Sequence, residues 1–277
     1  MLGRMVSDSD RDAADEALVP LGAEAAEYVR GWLGEPRGPA QLNLHHALAD
    51  HRTGLWGDSD SAPRCVLLVR ERAHRLEVFG AGEPEHAVRW LCRQKGRTVA
   101  LMAPRNWWVE IDRGLGTPAE RVEMQTLSTT PADFRPFPSK LQPRKLQASD
   151  SSAFLASGVA VDWALSSWGS FEALVARGEG FVVPAGPGIA SAAWVYSQAG
   201  RYEAISVSTA ARFRRLGLGK VVASALTTEI LHTRGKLPLW TTAPANLASW
   251  TLARSLGFGV VATEVYLQWG RARNLEM

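Results

Sequence analysis

Cysteine is almost absent from this chain: Cys65 and Cys92 are the two in 277 residues. They have no metal-binding spacing, and two thiols make no disulfide framework. Both read as small buried hydrophobes in a reducing compartment. No apolar run approaches the ~20 residues that span a bilayer. The N-terminal stretch from Ser7 to Asp12 is acidic and polar, without the apolar core of a secretory signal. An excess of charge of either sign is also lacking. The net charge is +3, and no basic run interleaves with aromatics as nucleic-acid surfaces require. The expectation is therefore a cytoplasmic protein with neither membrane nor nucleic acid as partner.

What is present is a globular composition, 46% hydrophobic and 21% charged, enough for one large core or two ordinary ones. His45, His46 and His51 lie close together in sequence, but no Cys or carboxylate constellation accompanies them, so no metal is expected. Residues 1–14 read as disordered. Apolar residues at Leu21, Ala25, Tyr28, Val29 and Trp32 predict an amphipathic helix closed by Gly34, with a second short helix over 42–49. Strands follow at 65–71 and 75–80, a helix over 85–94 and a buried strand at 98–102. A short helix at 107–111 and a strand at 122–127 complete this part. The first half, 15–130, is thus an α/β companion domain. Its own glycine turn, Gly80 to Gly82, has no basic residues. The proline-rich stretch 131–143 reads as a linker, and 144–277 as a second domain.

In the second half a short strand at 145–147 precedes a helix entered at Ser151, for which Ser149 and Asp150 are candidate caps. A hairpin then joins 180–184 to 189–196. A strand over 202–209 leads into a basic glycine turn, Arg212 to Val221, and a helix running to Gly235. Gly217 and Gly219 let backbone approach a ligand closely, and a helix start leaves N–H groups unpaired. That combination suits an anion, and Arg212, Arg214, Arg215 and Lys220 suit a phosphate-rich one. A Walker loop is excluded because Val221, not Ser or Thr, follows Lys220. A dinucleotide turn is excluded because Val222 stands where the third glycine belongs.

The spacing from Arg214 to Gly219 is Arg-x-x-Gly-x-Gly, and it resembles the coenzyme turn of the Gcn5-related N-acetyltransferases. A second match follows: a strand over 238–242, then Asn246, then a helix with Ser249 three places on, closing at Gly257 and Phe258. The resemblance implies a mixed sheet flanked by helices (α/β, α+β) in the C-terminal domain. The companion domain could then be a degenerate copy of the same fold. It also implies acetyl-CoA as cosubstrate, with direct transfer of the acetyl group to an amine acceptor, small molecule or protein. The coenzyme residues it implies are Val207, Ser208 and Thr209 on the strand, and Arg214, Arg215, Leu216, Gly217, Leu218, Gly219 and Lys220 in the turn. Asn246 and Ser249 belong to the second motif. The strand before the turn is expected to splay from the next parallel one. Asn246 could equally cap its helix.

Glu203, eleven places before Arg214, matches a family position for a general base, against a solvated strand-end carboxylate. Asp162, Glu172 and Glu179 compete with it. Ala253 occupies the place where relatives keep a proton-donating Tyr, which admits an alternative: a coenzyme-binding regulatory or interaction protein with little catalysis. Trp163, Trp168 and Trp194 could line an acceptor pocket or pack in the core. The sequence leaves monomer and homodimer both open.

Overall fold

A computed structural model describes residues 18–71, 75–94, 96–159, 165 and 167–270. The N-terminal stretch expected to be disordered, together with Asp162 and Trp163, lies outside the described residues. The chain forms two compact units. The described part of the first is 18–34, 51–121 and 267–270, and that of the second 35–50 and 122–266.

The first unit orders its strands β1 (Val19–Pro20), β2 (Gly54–Gly57), β3 (Cys65–Glu71), β4 (Arg75–Gly82) and β5 (Thr98–Met102). Beside β5 lie residues Leu267–Trp269, the end of the chain's last strand, β12 (Gly259–Trp269). All pairs are antiparallel except β4 with β5. Helix α1 (Ala23–Leu33) ends at Gly34, whose φ of 63° continues no helix. Helices α3 (Glu85–Cys92) and α4 (Asn106–Leu115) pack on each other. Leu67, Leu76, Val78, Leu91, Trp107 and Ile111 make the core here. The strands at 19–20 and 54–57 carry no period-2 apolar signal and were not legible in sequence.

The second unit orders β6 (Glu120–Ser128, in this unit from 122), β11 (Leu237–Thr242), β10 (Tyr202–Thr209), β9 (Gly188–Ala199), β8 (Gly180–Ala185) and β7 (Arg144–Lys145). The part of β12 that carries Glu264 lies beside β6, where Thr126 Oγ1 donates to Glu264 Oε2. The β10–β11 pair is parallel; β9 runs antiparallel to both β8 and β10, and β6 antiparallel to β11. The helices are α2 (Leu42–Leu48), α5 (Ser151–Ala156), α6 (Phe171–Ala173), α7 (Leu218–Thr228) and α8 (Leu247–Ser255). Wider helical turns extend α6 to Gly178 and α7 to Thr233.

The stretch 131–143, expected as a linker, lies inside this unit. Phe134 is buried in its core, and the Phe137 amide donates to Ser224 Oγ of α7 at 2.9 Å. Aromatics between prolines anchor a segment that composition alone reads as loose. Helix α2 packs on β9. Its His46 accepts from the Gln198 amide on Nδ1 and donates from Nε2 to the Ser167 carbonyl. Among the described residues no group of three or more His, Cys, Asp or Glu is placed to hold a metal, and no helix is long and apolar enough to cross a membrane.

Both units share one internal order. An antiparallel pair (β3–β4 or β9–β10) is followed by a helix, a parallel strand and a second helix. That is a strand–helix–strand crossover unit with parallel strands, built twice.

Candidate coenzyme and acyl-transfer site

Strand β10 pairs with β9 along its whole length, from Tyr202 to Thr209, but with β11 only over Tyr202–Leu237, Glu203–Pro238 and Ala204–Leu239. Beyond Ala204 the two parallel strands part. From Ile205 to Thr209 one edge of β10 therefore has no ladder partner, and backbone polar groups on such an edge need another partner or water. A ligand with amide groups of its own fits that requirement. Val207 and Thr209 face α7, within 3.6 Å and 3.3 Å of where a side chain on Gly219 would begin. By the strand's period of two, Ser206 and Ser208 face the other way.

The turn continues from this edge. Residues Ala211–Phe213 form one helical turn, Arg215 has φ 63°, and Gly217, at φ 77°, caps α7. A non-glycine residue at positive φ is uncommon and costs free energy, so two left-handed positions two residues apart mark a backbone held to a purpose. The amides of Arg215, Leu216, Gly217, Leu218 and Gly219 donate to no described group of the protein. The residues from Arg214 to Gly217 are exposed. Five free amides at a helix N-terminus form a concave donor array for an anion. Arg214 Nε donates to the Thr209 carbonyl at 3.3 Å, tying turn to strand. Lys220 Nζ lies 4.9 Å from the centre of the Phe137 ring, so the segment 131–143 reaches the edge of the turn. The spacing of the glycines gave the turn; Phe137 beside it was missed, because nothing in a proline-rich stretch says where it docks.

The second motif is placed by α8. Asn246 caps this helix, its Oδ1 accepting from the Ser249 amide at 3.2 Å, and Ser249 Oγ accepts from Trp240 Nε1 at 2.8 Å. Of the two expected roles for Asn246, capping is the one visible here. The contacts of Leu252 on α8 with the Gly219 position bring this helix to the turn. Ala253 is fully buried in the core, so at this position the helix offers no hydroxyl.

Glu203 is 1% exposed, and both its oxygens are taken. Arg234 Nη1 is 2.7 Å from one and Lys236 Nζ 2.8 Å from the other. Arg234 also pairs with Glu179, which Lys145 shares with Glu229. Glu203 thus anchors the chain just beyond α7 to the start of β10. Glu172 stands exposed on α6. Trp168, whose Nε1 donates to the Val195 carbonyl at 2.7 Å, and Trp194, edge-on to Phe154, are both buried in the core. A cavity of about 590 Å³ beside Arg135, Arg254 and Val260 reaches Leu237, the end of β11 remote from Thr242.

In the first unit the corresponding place is filled. β5 pairs with β4 along all five of its residues, so no gap opens. A side chain on Gly80 would begin 2.5 Å from the Trp107 ring, whose Nε1 donates to the Gly82 carbonyl at 2.9 Å. Helix α3 starts after Glu83 and Pro84, a carboxylate and a residue with no N–H to offer.

The family model for GNAT acetyltransferases matches residues 38–265, and the chain belongs to that family. Its fold is similar to that of a GCN5-related N-acetyltransferase-like protein from Streptococcus suis 89/1591. The TM-score is 0.65 at 20% identity, covering 89% of this chain and 99% of the other. A GNAT-family acetyltransferase from Colwellia psychrerythraea aligns at TM-score 0.61 and 15% identity, over 91% and 99% of the two chains. A tandem GNAT protein from the clavulanic acid biosynthesis pathway aligns at 0.61 and 17%, over 92% and 99%. No curated protein is similar enough in sequence to count as a relative. Family and fold together support acyl transfer as the chemistry.

Proposed function

We propose that this protein is an N-acetyltransferase that takes acetyl-CoA as cosubstrate and passes the acetyl group directly to an amine, with the second unit carrying the site. The observation that carries this reading is the parting of β10 from β11 beyond Ala204, leading directly into five unengaged amides. An extended amide-bearing arm with a pyrophosphate at its end is complementary to both. In this reading Val207, Ser208 and Thr209 pair with the pantetheine arm. The amides from Arg215 to Gly219 hold the pyrophosphate, with Arg214 and Lys220 beside it, and Asn246 and Ser249 flank the arm through α8. The first unit is a companion copy of the fold whose own cleft is closed by Trp107.

The test is calorimetric titration with acetyl-CoA of the wild-type protein and of Gly217→Glu, which places bulk and negative charge in the donor array. Binding in the wild type that is lost in a folded variant is the expected outcome; equal binding in both would overturn the site. Ala253 at the usual Tyr position motivates the second reading, a coenzyme-binding protein without useful catalysis. It would be favoured by tight coenzyme binding with no transfer to any amine.

A further inference from the structure

On the sheet face turned away from α7, a row of hydrogen-bonded side chains leads to the gap between β10 and β11. Tyr202, Ala204 and Leu239 share a small cluster with Leu42 on this face, whereas Ile205 and Trp240 belong to the main core with α7. Thr241, two residues after Leu239, therefore projects with Leu239, and it is exposed. Its register partner on β6 is Thr126, which is 1% exposed, and the two Oγ1 atoms are 3.1 Å apart. Thr126 Oγ1 in turn donates to Glu264 Oε2 of β12 at 3.3 Å. Each hydroxyl has a single hydrogen. Because Thr126 gives its own to Glu264, the hydrogen between the two threonines must come from Thr241. The chain is thus polarised, and the oxygen of the exposed Thr241, on β11 beyond the last β10–β11 pair, keeps a lone pair for a further donor.

We propose that Glu264 is the proton acceptor for the transfer reaction, working through Thr126 and Thr241 as a relay, an inference that rests on the acetyl-CoA reading above. An alkylammonium acceptor gives a proton to Thr241 Oγ1, Thr241 passes its own to Thr126, and Thr126 passes its own to the Glu264 carboxylate. The neutral nitrogen then attacks the acetyl carbonyl; the C–N bond forms, the C–S bond breaks, and the sulfur leaves as thiolate. The nitrogen's second surplus proton neutralises that thiolate, and Glu264 returns its proton to solvent along the same row. Two protons leave the ammonium, one on the thiol and one in water, so the reaction balances. Burial raises the Glu264 pKa above the ordinary carboxylate value, against the opposing hydrogen bond from Thr126, which makes it a stronger base than a surface carboxylate. Among the described residues, the site thereby gains a carboxylate route that does not depend on the ion-paired Glu203.

The experiment compares two small acceptors, methylamine, which is mostly protonated near neutral pH, and hydroxylamine, which is neutral there. Glu264→Gln, Thr126→Val and Thr241→Val should each cut kcat for methylamine by about 100-fold, the lower range for a lost acid–base group. Transfer to hydroxylamine and the Kd for acetyl-CoA should stay within about 3-fold of wild type, since neither needs the relay. Thr126→Ser and Thr241→Ser, which keep the hydroxyl, should restore methylamine transfer. Equal loss with both acceptors, or full activity in the Val variants, would overturn the relay. A wild-type protein that binds acetyl-CoA yet acetylates neither amine would overturn the relay and the enzyme reading together. Failure to bind acetyl-CoA at all would instead remove the coenzyme site.

Discussion

Cys65 and Glu203 show how far a residue's surroundings set its chemistry. Cys65 is fully buried in β3, and burial, followed by the negative charge of Asp58, pushes its thiol up to about 12. The thiolate is the reactive species, so in mildly alkaline buffer Cys65 should not react with a thiol reagent until the protein is denatured. Counting modified thiols by mass spectrometry before and after denaturation checks this; modification of native Cys65 would contradict it. Glu203 carries a charge into the interior only because Arg234 and Lys236 meet it there. Removing one partner of a buried pair typically costs about 3–5 kcal/mol. Glu203→Gln, which retains polar atoms but not charge, should therefore lose roughly 3 kcal/mol in a denaturant titration. An unchanged midpoint would mean that the ion pairs contribute nothing to stability.

Among the elements, β7 and the helical turn after it are held by a two-pronged pair. Arg144 Nη1 and Nη2 reach the two oxygens of Asp150 at 2.7 and 2.6 Å, and the Gln147 amide donates to the same carboxylate. The Arg144 hydrogen bonds, partly offset by desolvation, hold the Asp150 pKa below its ordinary value. A depressed carboxylate pKa contributes stability that is fully present above the unfolded value, about 3.9. That contribution is lost as pH falls through the folded value. The stability difference between wild type and Asp150→Asn should therefore be constant near neutrality and shrink as pH falls below about 4. A difference that does not change with pH would assign the role of Asp150 to geometry alone. Asp150 was legible as a candidate cap from its place before Ser151, yet its side chain makes no hydrogen bond to that helix. The arginine six residues upstream takes it instead, and local capping rules contain no such partner.

For the molecule as a whole, the repeated order of elements raises the question of how many coenzymes one chain takes. In the first unit β4 and β5 stay paired along all of β5 and Trp107 lies over Gly80; in the second, the matching strands part after three pairs. Titration should accordingly give about one acetyl-CoA per chain, because among the described residues the second unit's open edge of five residues leads into five free amides, whereas Trp107 covers the corresponding place in the first. Binding of two would show that the first cleft opens. Trp107→Ala should destabilise by about 3–5 kcal/mol, as emptying a buried aromatic site does. Thermal unfolding would measure it.

The sequence by itself determined the helix ends at Gly34 and Gly217, the strand over 202–209, the basic turn after it and the helix begun at Leu247. Each depends on backbone conformation or side-chain period within a few consecutive residues. The same local logic made the basic glycine turn readable. Only the tertiary structure decided that Glu203 is ion-paired, that Trp168 and Trp194 belong to the core, and that Phe137 docks beside the turn. It also decided that Glu264, Thr126 and Thr241 stand in one row. Those outcomes depend on strand register and on partners 27 to 138 residues away. Register is set by the whole sheet's packing, and no window of sequence contains it.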